Sequence, residues 1–153
     1  MASNRHLGRI VALQTLYEYD FREGCGDEAA EVSEILAHNL ERYADKIDDK
    51  KFVERLVNGV VKEAHQLDEQ ISPVAPEWPL SQIALVDREI LRLAVYELRE
   101  FGDFIPPKVA INEAVELAKA FGSENSSRFI NGVLGTLWRQ MNGEEKQHNE
   151  QSK

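Results

Sequence analysis

The sequence predicts an all-α protein, one domain spanning residues 1–141 and divided into two helical subdomains at about 3–72 and 80–141. Three observations lead there. Apolar residues recur at three- and four-residue spacing along almost the whole chain, and no stretch shows the two-residue alternation of a half-buried strand. Three prolines in seven residues, Pro73, Pro76 and Pro79, interrupt the helical pattern once near its middle, where continued helix is forbidden.

The first helix is expected from Ser3, as N-cap, to about Phe21, ahead of Gly24 and Gly26. The second starts near Asp27 and carries Val32, Ile35, Leu36, Leu40 and Tyr43, and after IDDKK a third carries Phe52, Leu56, Val60, Leu67 and Ile71 until SPVAPEWP stops it. Ser81 is placed to cap a fourth, in which Ile83, Val86, Ile90, Ala94, Leu98 and Phe101 form one stripe before Gly102. The fifth begins at Pro106-Pro107, since proline is tolerated in a first turn, and buries Ile111, Val115, Ala118 and Phe121 before Gly122. The last runs from about Ser126 to Met141 on Ile130, Val133, Leu134 and Leu137. Residues 142–153, NGEEKQHNEQSK, have no apolar side chain and are expected to be a disordered tail.

Composition narrows the function. With 42% hydrophobic and 29% charged residues in 153, the chain has the make-up of an ordinary soluble globule. No apolar run approaches the roughly 20 residues that span a bilayer, and the N-terminus lacks a signal peptide's apolar core, so a cytoplasmic protein is expected. Cys25 is the single cysteine and the four histidines are scattered, which predicts no disulfide, no structural metal and no cofactor. A net charge of −9 argues against indiscriminate nucleic-acid binding, because counterion release needs clustered Lys and Arg. The acids concentrate in residues 18–50, however, and leave two places for an anion.

One is the N-terminal turn, where Arg5 and Arg9 share a helix face beside His6 although the macrodipole disfavours cations there. The other is the break GSENSS, which delivers Arg128 and Phe129 to the last helix. An aromatic at the edge of an apolar stripe is either a peripheral core residue or a platform for an unpaired base, with the guanidinium on a phosphate. Arg88 and Arg92 are secondary candidates, since with Arg99 they lie on one face opposite the apolar stripe, where Glu89, Glu97 and Glu100 offer ion pairs and a solvated surface. Nothing assembles a catalytic set: Glu113 and Glu116 lack a nearby nucleophile or histidine, and Gly132 and Gly135 fall inside a helix rather than in a phosphate loop. The residues describe a binder rather than an enzyme.

The stretches PPKVAINEAVELAKAFGSENSSRFINGVLGTL, RHLGRIVALQTLYEYDF and VDREILRLAVYEL resemble, in order, the signatures of the NusB family of transcription antitermination proteins. That family is all-α with two helical subdomains, and the same fold occurs in certain ribosomal RNA cytosine methyltransferases. The resemblance implies pairing with the small-subunit ribosomal protein that serves as NusE, and binding to single-stranded boxA RNA of nascent ribosomal RNA operon transcripts within an RNA polymerase antitermination complex. It places RNA contacts on Arg5, His6, Arg9, Glu124, Asn125 and Phe129, and partner contacts on Tyr17 and Asp87. Family arms are often denser in arginine, whereas Leu7 and Gly8 separate the bases here, so weak and salt-sensitive binding by the protein alone is expected. The alternatives are an RNA-substrate module like that of the methyltransferases, or a protein-only helical adaptor or homodimer covering the basic arm.

Overall fold

The computed structural model describes residues 5–75 and 82–151, with side chains up to residue 143. Among these residues six α-helices follow one another: α1 (Arg5–Gly24), α2 (Val32–Arg42), α3 (Lys50–Ile71), α4 (Leu85–Glu100), α5 (Pro107–Phe121) and α6 (Ser126–Gln151), with a 3₁₀ turn at Ser72–Val74 after α3. No strand occurs among the described residues. The helix inventory is the one the apolar spacing predicts, and its boundaries have local causes.

Gly26 adopts φ 79°, a left-handed conformation natural to glycine, as the chain leaves α1. Asp27 does not begin the second helix. Its carboxylate accepts from the Arg22 guanidinium at 2.8 Å and from the Ala29 amide at 3.0 Å, which fixes a turn and delays α2 to Val32. The Asp49 carboxylate caps α3 by accepting from the Phe52 amide at 3.1 Å. Pro107 opens α5, where its missing N–H costs nothing. Ser3, Ser81, Pro76 and Pro79 lie outside the described residues. The final helix passes Met141, the expected end, and continues to Gln151. Glu, Lys and Gln in this stretch are good helix formers, so an all-polar segment extends a helix already nucleated by packing.

A continuous core joins residues from every helix, from Val11 and Leu16 through Leu56 and Val57 to Ile90, Leu91, Leu117, Ile130 and Leu134. Its axis is α4, which packs against α1, α3, α5 and α6. The expectation of a single apolar stripe on α4 is therefore corrected: Leu91, Leu93 and Val95 are buried as well as Ile90 and Ala94, and so are Asp87, Glu89, Arg92 and Glu97. A helix packed against four others keeps only part of its charge in solvent, at Arg88, Arg99 and Glu100. Close approach of α3 and α4 also dictates Gly59, because a Cβ there would sit 2.1 Å from the Tyr96 ring carbon Cζ.

Candidate nucleic-acid interface

The three bases of the N-terminal arm separate in space. Arg9 turns inward, 3% exposed, and its Nε and Nη2 donate to the Glu97 carboxylate at 2.8–3.1 Å. It is thus removed as a phosphate ligand, correcting the expectation: a bidentate, desolvated guanidinium–carboxylate pair does not open for a surface anion, since breaking it leaves a buried charge alone. Burial pushes the Glu97 carboxyl up while Arg9 pulls it down. His6 stays exposed, with Nδ1 2.6 Å from Glu113 Oε2 on α5. Arg5 lies over the rings of Phe52 and Phe104, at 5.4 and 5.5 Å from their centroids, and its buried Nε has no hydrogen-bond partner.

Arg92 is likewise internal rather than on a solvated face. Nε and Nη2 donate to the two Asp68 oxygens at 2.7 and 2.6 Å, and Nη1 donates to Asp20 at 2.9 Å and Glu89 at 3.1 Å. Four of the five guanidinium N–H groups are thus engaged with acidic side chains. Glu89 beneath it is fully buried, and burial, then the neighbouring Asp20 carboxylate, pushes its carboxyl up to about 9. Arg88 is partly exposed but faces Asp20 at 4.0 Å, so it adds little free positive charge.

The break between α5 and α6 builds an open site. Ser126 Oγ accepts from the Ser123 amide at 2.9 Å and donates to Asp87 Oδ2 at 3.0 Å, which ties the start of α6 to the start of α4. Around this tie lies a pocket of about 610 Å³ whose wall includes Asp87, Asn125, Ser126, Arg128 and Phe129. Arg128 is exposed and makes no salt bridge among the described residues, whereas Phe129 is half-buried with one side on the core. Phe129 therefore combines the two readings the sequence leaves open: packed along one edge, it still lines the cavity. Glu124 is exposed beside the pocket. Asp87 belongs to this wall and is buried. Burial raises its carboxyl above the usual range, against the Ser126 hydroxyl.

Tyr17 instead lines a second groove of about 550 Å³ with Leu13, Phe21, Val86 and Phe121, edged by Glu18 and Arg42. Its ring stacks on Phe21 at 6.3 Å and 8°. Phe21 is 54% exposed and Phe121 41%, so Phe121 is not the core residue the helical spacing predicts. The signal that finds Phe21 is its i+4 spacing from Tyr17. Nothing local marks Phe121, because its exposure depends on where α1 and α4 pass. Among the described residues no cluster of His, Cys, Asp and Glu is arranged to hold a metal ion, and no helix is long and apolar enough to cross a membrane.

These elements define a class: an all-α protein with two adjoining open faces at the start of α4, one apolar and aromatic, the other polar with an exposed arginine. The NusB family model matches residues 6–139, and the chain belongs to the NusB family. It is 45% identical over 138 residues to the transcription antitermination protein NusB of Roseiflexus castenholzii, covering 90% of this chain and 93% of that protein. Against the Dehalococcoides mccartyi protein of the same name the identity is 41% over 150 residues, 98% and 100% of the two chains. The structure of T. maritima NusB superposes with a TM-score of 0.78 at 36% identity, over 90% of this chain and 92% of that one. A structure of the antitermination factors NusB and NusE in complex with double-stranded RNA gives 0.77 at 26% identity, over 92% and 99%.

Proposed function

We propose that this protein is a noncatalytic transcription antitermination factor that binds single-stranded boxA RNA of ribosomal RNA operon transcripts together with the ribosomal protein NusE, in the cytoplasm, as part of an RNA polymerase complex. The observation that carries the reading is the α5–α6 pocket, where an exposed Arg128, without a salt bridge among the described residues, stands beside the half-buried Phe129 on a chain whose family relative is described with NusE and RNA. A base stacks on Phe129, a phosphate lies on Arg128, and Asn125 and Ser126 supply hydrogen bonds to base edges. Arg5 and His6 hold the strand further along. Arg9, Arg88 and Arg92 act as structural cations.

NusE occupies the Tyr17–Phe21–Phe121 groove. An apolar centre with aromatic anchors and charged edges has the make-up of a protein interface, and a net charge of −9 favours a basic ribosomal protein. Asp87 borders this face from the RNA pocket. Fluorescence anisotropy of labelled boxA-like RNA, against a scrambled sequence and with or without NusE, tests the reading. Sequence-dependent binding that tightens with NusE is expected; no sequence preference even with NusE present overturns it.

A further inference from the structure

The arm residue Arg5 is one member of a larger cluster that lies at the opposite end of α5 from the Phe129 pocket. Phe52, Phe101 and Phe104 form a connected aromatic group, with centroids 5.8 Å apart for the first pair and 5.1 Å for the second. Besides Arg9, which lies over Phe52 at 5.4 Å and is already paired with Glu97, two guanidinium groups rest on it: Arg5 over Phe52 and Phe104, and Arg55 over Phe101 at 4.6 Å. Neither arginine makes a salt bridge among the described residues, on a chain with nine more acids than bases. Phe104 is 46% exposed and Arg55 is exposed. Elsewhere on this protein Arg9, Arg22, Arg92 and Arg99 all hold carboxylates. Cation–π contact orients a guanidinium without neutralising it, so Arg5 and Arg55 keep their full charge and most of their donors for an incoming anion.

We infer that Arg5, Arg55 and Phe104 form a second RNA subsite, in which the two guanidiniums take a phosphate of a single strand and the exposed Phe104 ring stacks on a base. This rests on the RNA-binding reading above and extends it from Arg5 to Arg55 and Phe104, which the sequence does not single out. The fifteen residues of α5 separate Phe104 from the α5–α6 break by about 22 Å at ~1.5 Å per residue. His6, hydrogen-bonded to Glu113 midway along α5, sits between the two ends. The strand therefore follows α5, anchored by one aromatic–arginine pair at each end. Two anchors on one strand act through effective concentration, so the second subsite matters only for an RNA long enough to reach both.

Anisotropy titrations with single-stranded RNAs of about four and about twelve nucleotides, across a salt series, test this on the wild type, Arg55→Gln, Phe104→Ala and Phe129→Ala. Both new positions are exposed, and circular dichroism melts confirm that each variant folds. On the long RNA, Phe104→Ala is expected to weaken binding about five- to hundredfold, and Arg55→Gln to reduce the salt slope by about 0.7. On an RNA too short to span α5, held at the Phe129 end, neither change has an effect while Phe129→Ala still weakens binding. If Arg55→Gln and Phe104→Ala bind the long RNA like the wild type while Phe129→Ala does not, the second subsite is refuted and the RNA-binding reading survives. Loss of RNA binding by the wild type at every length refutes both. Competition by polyglutamate at wild type but not at Arg55→Gln, with RNA affinity unchanged, would assign the cluster to an acidic protein and overturn the proposal.

Discussion

Arg92 and Arg128 are both helical arginines, and they have opposite fates. Arg92 is held by Asp20, Asp68 and Glu89 in the middle of the bundle, while Arg128 stands in the open at the start of α6. What separates them is the supply of carboxylates that the fold brings within reach. Three acids from α1, α3 and α4 converge on Arg92, whereas the α5–α6 break offers Arg128 none among the described residues. An arginine is free for a ligand when tertiary packing has not already given it one.

The sharpest way to break this comparison is to truncate each arginine. Arg92→Ala should destabilise the protein by about 3–5 kcal/mol in urea denaturation, since it strands buried carboxylates, while Arg128→Ala should stay within about 0.5 kcal/mol of wild type. Equal losses would show that Arg128 is structural too.

Glu89 sharpens the comparison through pH. Its folded value is raised to about 9 from an ordinary 4.5, so the native state holds a proton that the unfolded chain releases. The associated stability is complete below about pH 4.5 and is lost as pH rises toward 9. Thermal melts of wild type against Glu89→Gln across this window should show the wild type declining more steeply. Parallel curves would mean that Arg92 keeps Glu89 ionised.

At the open site the effects appear in binding. Phe129→Ala should weaken RNA binding by about 1–3 kcal/mol, with a smaller loss of thermal stability from the packed edge of the ring. Loss of stability alone, with RNA affinity intact, would assign the residue to the core. The smallest effect is expected from Arg128→Gln, which should flatten the salt dependence of RNA binding by about 0.7 in slope, one phosphate's share for a single strand.

Helix count and order were legible because apolar spacing is a local property, and so were the Glu89–Arg92 and Arg99–Glu100 pairs, three and one residues apart. The partner of Arg9 was not. Glu97 lies 88 residues away, and no arginine stands three or four residues from it on its own helix to show where its charge is balanced. Only the packing of α1 on α4 selects the long-range pair and withdraws Arg9 from the arm. The same limit explains Asp87, which looks like a surface acid in sequence but is enclosed by Ser126, 39 residues later. Phe121 errs in the other direction: its spacing continues a core stripe that ends before it. Arg128 and Phe129 were visible because they stand where a polar break meets a helix, a local pattern.

The Arg9–Glu97 pair also has a consequence for the order of folding. The chain is made from its N-terminus, so α1 emerges long before α4, and a guanidinium destined for burial must wait in water for a carboxylate still to be synthesised. Another contact of that arm, His6 with Glu113, comes later again, 107 residues on. Contacts so distant in sequence carry the loop-closure entropy that slows folding. The first helix to be translated thus finds its packing partners α2 and α3 early but its buried charge partner late, and a nascent chain stopped before residue 97 would hold Arg9 without its carboxylate.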